Sequence, residues 1–226
     1  AASGVCGSAD LLEACGVKLA LKPESVKRCV EEVGIGFMFA QAFHPAMRFV
    51  APVRREIGIR TVFNILGPLT NPAFVQHQLV GVPQPRFGPL VADALSALGL
   101  RHALVVHGED GIDELTLSGP THVWEVSGGK VAQRTMTPEQ AGLSRAPTEA
   151  LKGGNVQQNK AMLERLLRGE RGPIRDVVLY NAAAGLLAAD AVPDIREGVR
   201  RAAESIDTGK ALKALRALVE VSREAE

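Results

Sequence analysis

The sequence predicts an α/β fold in which helices pack on a mixed β-sheet beside a smaller helical part. Two short runs rich in β-branched residues, 77–82 and 102–108, are typical of strands. Between them, residues 89–99 have the apolar spacing of an amphipathic helix that a glycine ends. Strand, helix and strand in this order indicate a parallel crossover, which is characteristic of α/β sheets.

Helices are predicted both before and after this crossover in the sequence. Ser8 is a plausible N-cap of a first helix that Gly16 ends, and a second helix is predicted from about residue 23 to residue 33. From Gly153 onward the sequence predicts only helices, each with a capping residue or a closing glycine. These helices are 156–169, 173–190, 194–206 and 210–225.

Further strands are predicted after the crossover. Residues 113–117 and 121–127 flank Ser118-Gly119-Pro120, a pattern typical of a hairpin or an edge pair of strands. Residues 130–137 are expected to add another strand. The sheet is therefore predicted to be mixed rather than purely parallel.

The segment 44–72 combines a basic helix with a rigid turn. Pro45 suits the first position of a helix, and Gly67 and Pro68 force the chain to turn where that helix ends. Arg54 carries a planar guanidinium whose donors match a carboxylate. Two interpretations are open: a wall that binds a carboxylate-bearing ligand, or a solvated basic helix face.

The composition bounds the class of protein. The chain has 226 residues, of which 46% are hydrophobic and 23% charged, with a net charge of +1 and only 4% aromatic residues. This balance is ordinary for a globular protein, and it argues against nucleic acid as a partner. The three cysteines lack metal-site spacing and are expected to be free or buried thiols in a reducing compartment. No apolar run is long enough to span a membrane, so a cytoplasmic location is expected.

Two segments have the composition of ligand sites. The small-residue loop before Ser8 leads into a helix N-terminus, where free N–H groups and the helix dipole favour a phosphate, although most such loops only cap a helix. Asp110, Asp113 and Glu114 follow the strand at 102–108, at the sheet edge where α/β proteins bind ligands. Magnesium binds through one or two carboxylates together with substrate phosphates. A metal–diphosphate site and a solvated acidic turn are both open interpretations.

Five motifs occur along the chain and extend over almost all of it. They are GSADLLEACGV (7–17), FHPAMRFVAPVRREIGIRTVFNILGPLTNP (43–72), HGEDGIDEL (107–115), LKGGNVQQNKAML (151–163) and YNAAAGL (180–186). Through these motifs, the chain resembles the anthranilate phosphoribosyltransferase family. The second motif is long and specific, and it points away from the pyrimidine nucleoside phosphorylases of the same superfamily.

The resemblance implies transfer of phosphoribose from phosphoribosyl pyrophosphate to the amine of anthranilate, with magnesium, in tryptophan biosynthesis. By motif position, Ser8 resembles a serine that contacts the phosphoribosyl donor, and Asp113 and Glu114 resemble the metal-binding pair. Arg54 resembles the arginine that meets the anthranilate carboxylate. The residues that resemble walls of the anthranilate tunnel are His44, Gly67 and Pro68.

The resemblance also implies a nucleoside-phosphorylase-like large α/β domain, part of a small helical domain, and a homodimer. We expect residues 1–22 and 67–226 to belong to the large domain and residues 23–66 to the small one. The family's GTGGD loop and Lys-His-Gly-Asn motif would lie upstream of Ala1. The chain is therefore expected to be the C-terminal part of a longer one and to be inactive or nearly so by itself.

One departure from the family pattern keeps a different class of function open. Val5 and Cys6 stand where the family commonly has a basic residue followed by a small one. This departure argues against a basic contact from this loop to the donor. The alternative is a catalytically inactive relative that binds nucleic acid or another protein. The near-neutral charge and the intact carboxylate pair argue against it.

Overall fold

The computed structural model of this chain describes residues 6–44, 49, 56 and 63–224. Contacts within the chain divide it into two units. The first comprises Ala1–Ile59, Gly153–Glu170 and Ser205–Glu226, and the second comprises Arg60–Lys152 and Arg171–Glu204. The expected domain limits, residues 1–22 and 67–226 against 23–66, stay a prediction.

A four-stranded mixed sheet forms the centre of the second unit. Its strands are β1 (His77–Gly81), β2 (His102–Gly108), β3 (Thr121–Ser127) and β4 (Lys130–Met136), and they lie in the order β1-β2-β3-β4. β1 and β2 are parallel, whereas β2 pairs antiparallel with β3 and β3 with β4. The predicted crossover, the mixed sheet and these four strands are confirmed.

The helices of the described part follow the predicted order. In chain order they are α1 (Ser8–Ala14), α2 (Pro23–Val33), α3 (Ala40–Phe43), α4 (Phe63–Leu66), α5 (Phe87–Ala97), α6 (Val156–Leu167), α7 (Pro173–Ala188), α8 (Ile195–Asp207) and α9 (Lys210–Glu224). Short 3₁₀ turns occupy Gly67–Thr70, Pro138–Ala141 and Thr148–Leu151. Most of the helix predicted to begin at Pro45 lies outside the described residues, and Phe63–Leu66, directly before Gly67, are helical.

Two predictions about local structure are wrong. Residues 113–117 form no strand, because their backbone groups bond to side chains rather than to a neighbouring strand. Ser8 is the first helical residue rather than the N-cap of α1. The N-cap is Gly7, which has extended backbone angles (φ −96, ψ 173), and its N–H donates to Oδ2 of Asp10 at 2.8 Å.

Each face of the sheet is covered by its own apolar cluster. On one face, Leu104 and Val123 pack with Tyr180 and Ala183 of α7. On the other face, Val105 and Trp124 lie in a cluster with residues of α5. Every residue of β2 is buried, as expected for a strand covered on both faces. The sheet is therefore packed on both faces, and it sets the positions of the loops that follow its strands.

A row of polar and charged side chains crosses the sheet on the α7 face, at the end where β1 and β2 begin. The ring of His102 lies between two carboxylates, with Nδ1 2.7 Å from Oδ1 of Asp190 and Nε2 3.0 Å from Oε1 of Glu125. The second oxygen of Glu125 is 2.8 Å from Nε of Arg134. His77 continues the row, with Nδ1 2.8 Å from the carbonyl oxygen of Ala188.

Helices form the described part of the first unit. α2 packs against α9, and Val26 and Cys29 of α2 share an apolar cluster with Leu218 of α9. The N–H of Lys18 donates to Oγ of Ser222 at 3.1 Å, which ties the loop after α1 to α9. All three cysteines are free thiols, as predicted.

Among the residues that the structure describes, no helix is both long enough and apolar enough to cross a membrane.

We predict that Gly88→Ala destabilises the protein, because a Cβ at Gly88 would overlap the indole ring of Trp124. Overpacking of this kind costs about 1–3 kcal/mol of unfolding free energy. The matched control is Gly185→Ala in α7, where a Cβ would meet open space. That change should raise the unfolding free energy by about 0.5–1 kcal/mol, because alanine favours the helix over glycine. Urea unfolding followed by circular dichroism checks both, and equal effects would contradict the prediction.

Candidate functional site

The loop that joins β2 to β3 carries the acidic cluster. Its first turn is closed by backbone hydrogen bonds, from the N–H of Gly111 to the carbonyl of Gly108 at 2.8 Å and from the N–H of Gly108 to the carbonyl of Ile112 at 2.9 Å. Gly111 has a φ of +91, which side chains rarely allow, so this turn requires glycine. The tight turn places the following residues at the carboxyl end of the sheet.

Asp113 and Glu114 are both exposed in this loop. The surrounding protein desolvates the carboxyl group of Glu114 and the Asp113 carboxylate repels it, and both effects raise the pKa of Glu114. The backbone of Asp113 is packed closely on Gly81 at the end of β1, where a Cβ would overlap the Asp113 carbonyl oxygen. A divalent cation would relieve the repulsion between the two carboxylates, so the pair fits a hard metal ion.

Asp110 has a structural role within the same loop. Its Oδ2 accepts hydrogen bonds from the hydroxyls of Thr116 at 2.7 Å, Ser118 at 2.8 Å and Thr148 at 3.1 Å. Burial would by itself raise the pKa of Asp110, but these hydrogen bonds together hold that pKa below its ordinary value of 3.8. Asp110 thus joins both halves of the loop to the segment at Thr148.

Asn181 of α7 holds the loop from the other side. Its Oδ1 accepts the N–H of Leu115 at 2.9 Å, and its Nδ2 donates to the carbonyl of Leu115 at 2.9 Å. Leu115 directly follows Glu114, and its own side chain is fully buried. Sequence reasoning missed Asn181, although the residue lies in the motif YNAAAGL. The available signal was an amide in a run of alanines and other apolar residues.

Gly67 and Pro68 form the start of the 3₁₀ turn Gly67–Thr70. Gly67 is exposed and Pro68 half-buried, and the carbonyl of Pro68 accepts a hydrogen bond from Nε2 of Gln78 at 2.8 Å. Gln78 and Gly81 are three residues apart on β1, which corresponds to about 10 Å. One strand therefore anchors both this turn and the backbone of Asp113.

The other predicted site residues belong to the first unit. Ser8 is exposed at the start of α1, and His44 is half-buried at the C-terminal end of α3. Arg54 lies outside the described residues. The structure thus brings Asp113 and Glu114 together in one loop, with Gly67 and Pro68 in the same unit.

Within residues 6–44, 63–224 and the two isolated positions, no three His, Cys, Asp or Glu side chains are grouped as a metal would require. Among the residues that the structure describes, a cation at Asp113 and Glu114 would therefore find no third ligand of these side-chain types. Water and substrate phosphates commonly do this for magnesium.

Comparisons with known sequences identify the relatives of this chain. Residues 1–212 match the family described as "Glycosyl transferase family, a/b domain". The chain is 57% identical over 225 residues to the anthranilate phosphoribosyltransferase of Chloroflexus aggregans, in an alignment that covers 99% of this chain and 66% of the relative. The corresponding protein of a Roseiflexus species is 55% identical, with 100% of this chain and 67% of the relative covered.

Solved structures agree with these relatives. The crystal structure of anthranilate phosphoribosyltransferase from Thermus thermophilus is similar with a TM-score of 0.92 and 50% identity, over 99% of this chain and 66% of that one. The Saccharomyces cerevisiae enzyme in complex with PRPP and Mg has a TM-score of 0.88 and 27% identity, over 96% of this chain and 63% of that one. The predicted nucleoside-phosphorylase-like α/β fold is confirmed.

We predict that Asp110→Asn lowers the unfolding free energy at neutral pH by about 2 kcal/mol, because hydrogen bonds to a charged acceptor are stronger than neutral ones. The folded-state pKa of Asp110 lies below 3.8, so its stabilisation is present above that pH and is lost as the pH falls through the folded value. The variant should therefore lose less stability than the wild type on acidification below this range.

Urea unfolding at several pH values measures this difference. The matched control is Asp93→Asn, at an exposed position of α5, which should change stability little. Parallel pH curves for wild type and Asp110→Asn would contradict the prediction.

Proposed function

Because this chain belongs to the anthranilate phosphoribosyltransferase family of glycosyl transferases, we propose that it transfers phosphoribose from phosphoribosyl pyrophosphate to the amine of anthranilate. The products would be phosphoribosyl anthranilate and pyrophosphate, in tryptophan biosynthesis. The chain spans 66% of the length of its Chloroflexus relative, and the proposal concerns the activity of the whole protein.

The observation that carries the proposal is the exposed pair Asp113 and Glu114 at the carboxyl end of the sheet. The pair combines mutual repulsion with an irregular, tightly held backbone, as a site for a hard cation and a diphosphate requires. The yeast relative is described in complex with PRPP and Mg, which supports magnesium as the cation.

The proposed chemistry depends mainly on positioning. Asp113 and Glu114 would hold Mg²⁺ against the diphosphate of the donor. When bound, the ion would stabilise the negative charge that develops as pyrophosphate leaves. Ser8 would contact the phosphoribosyl donor, and backbone N–H groups near it would add electrostatic stabilisation.

The acceptor would be held by a separate set of groups. The guanidinium of Arg54 would pair with the anthranilate carboxylate, since its donors match a carboxylate in a bidentate way. The tunnel walls would be formed by His44, Gly67 and Pro68. The aromatic amine of anthranilate is already neutral near pH 7, so the transfer requires no strong general base and we assign none.

We also propose that the protein acts in the cytoplasm as a homodimer. The three free thiols are those expected in a reducing compartment. The dimer follows from the family resemblance alone, and light scattering of the purified protein tests it.

The transfer is tested by incubating the protein with phosphoribosyl pyrophosphate, Mg²⁺ and anthranilate and measuring pyrophosphate release. The same assay is run on an extended chain, in which this sequence replaces the matching part of its Thermus relative, because the match covers 66% of that relative. Release that depends on both anthranilate and magnesium supports the proposal. Release without anthranilate, or none from the extended chain, contradicts it.

We predict that replacing both Asp113 and Glu114 with alanine weakens magnesium-dependent binding of pyrophosphate by more than about 100-fold. The reason is that loss of a residue that only hydrogen-bonds to a metal ligand already weakens metal affinity by about 10- to 100-fold. Loss of the ligands themselves should weaken it more. Isothermal titration with magnesium pyrophosphate measures the change. Glu109→Gln is the control, because Glu109 is an exposed acid of the same loop. An unaltered titration of the double variant would remove the metal role from this pair.

We predict that Arg54→Ala raises the concentration of anthranilate required for half-maximal rate by roughly 30- to 150-fold. This corresponds to the loss of a charged hydrogen-bonded contact worth about 2–3 kcal/mol. The requirement for the donor should stay nearly constant. Arg54→Lys should recover only part of the loss, because lysine keeps the charge but not the bidentate geometry. Steady-state kinetics in both substrates measures the effects, and an unchanged anthranilate requirement would refute the assignment of Arg54.

A further inference from the structure

The backbone between Asp113 and Thr116 lacks the strand pairing that normally fixes a chain segment. Instead, the structure fixes it at two points on either side of Glu114. On one side, the carbonyl of Asp113 is packed against Gly81, so closely that no larger residue fits there. On the other side, both backbone polar groups of Leu115 bond to the side-chain amide of Asn181, each at 2.9 Å.

The amide of Asn181 takes the place of a neighbouring strand for this one residue. It offers an acceptor to the N–H of Leu115 and a donor to its carbonyl, as an adjacent backbone would. Its Nδ2 also donates to the carbonyl of Val177 at 3.0 Å, one turn earlier in α7, which fixes the orientation of the amide. The helix residues Tyr180, Ala183 and Ala184 beside it are fully buried, so Asn181 is carried by a tightly packed element.

We propose that Asn181 is a positioning residue for the carboxylate pair. It contacts neither Asp113 nor Glu114 through the bonds described, and it acts through Leu115, whose backbone continues directly from Glu114. Holding both polar groups of Leu115 fixes the direction in which the chain leaves Glu114, and Gly81 fixes the other end. The inference rests on the proposed function, because it assigns the pair to a cation and a diphosphate.

The position of Asn181 in the helix distinguishes this role from general packing. The amide of Asn181 forms hydrogen bonds with Leu115 in the loop and with the carbonyl of Val177 in the helix. The neighbouring helix residues instead pack in the apolar cluster. Loss of the amide should therefore reorient the pair without emptying the core. Outer-shell partners of metal ligands act in this way, and their loss weakens metal affinity by about 10- to 100-fold.

The test compares Asn181→Ala with His77→Ala. His77 also ties the sheet to α7 through a hydrogen bond to a backbone carbonyl, that of Ala188 at 2.8 Å, but at the C-terminal end of the helix, about two turns beyond Asn181. Both variants are expected to lower the melting temperature. Only Asn181→Ala should weaken binding of magnesium pyrophosphate, by about 10- to 100-fold. Asn181→Leu, which keeps the volume but not the hydrogen bonds, gives a second variant if alanine prevents folding.

Two measurements are made on each protein: isothermal titration with magnesium pyrophosphate, and hydrogen exchange at the Leu115 amide. Weaker binding and faster exchange in the Asn181 variants, with both unchanged in His77→Ala, support the proposal. Equal losses of affinity in the Asn181 and His77 variants overturn it, because the effect is then general destabilisation.

The proposed function and this inference fail in different ways. If the Asp113 and Glu114 double variant loses binding while the Asn181 variants bind like the wild type, the metal role stands and the positioning role is wrong. If the double variant still binds like the wild type, the metal role is wrong, and the positioning role is overturned with it because no bound cation is left to position.

Discussion

The constraint on which the candidate site depends is the need to satisfy backbone polar groups in a loop that pairs with no strand. Buried N–H and carbonyl groups must find partners, and here side chains supply them: Asn181 bonds both groups of Leu115, and Thr121 accepts the N–H of Thr116. Asp110 gathers three hydroxyls around the same loop. The loop is thereby held rigid while the side chains of Asp113 and Glu114 stay exposed.

The carboxylates at the two ends of the sheet have different surroundings. At the end where β1 and β2 begin, His102 lies between two carboxylates and Arg134 pairs with one of them, so each carboxylate has a partner. The hydrogen bond from His102 holds the pKa of Asp190 below its ordinary value. At the other end, desolvation and then repulsion by Asp113 raise the pKa of Glu114, and two like charges are held together. A matched network stabilises a fold, whereas a pair of like charges at a strand end is poised for a cation.

Much of the architecture could be predicted because it depends on local patterns. The β-branched runs at 77–82 and 102–108 and the capped helices after Gly153 appear where expected, since periodicity reflects which face is buried. One error occurred where a distant residue decides, and the other lies within one short loop. Residues 113–117 resemble a strand in composition, but Asn181, about 66 residues further along the chain, takes their hydrogen bonds. Ser8 resembles an N-cap, but the Asp10 carboxylate bonds the amide of Gly7, one residue earlier.

The sequence by itself determined the fold class, the order of nearly all described elements, the resemblance to a family and the identity of the acidic pair, because each is encoded within one short stretch. Only the tertiary structure decided how the pair is held. Gly81, Asn181 and Thr148 are distant from Asp113 in sequence and meet the loop only after β1, α7 and the turn at 148 have packed around β2. Packing of this kind depends on distances and directions in three dimensions, which local patterns of residues do not specify.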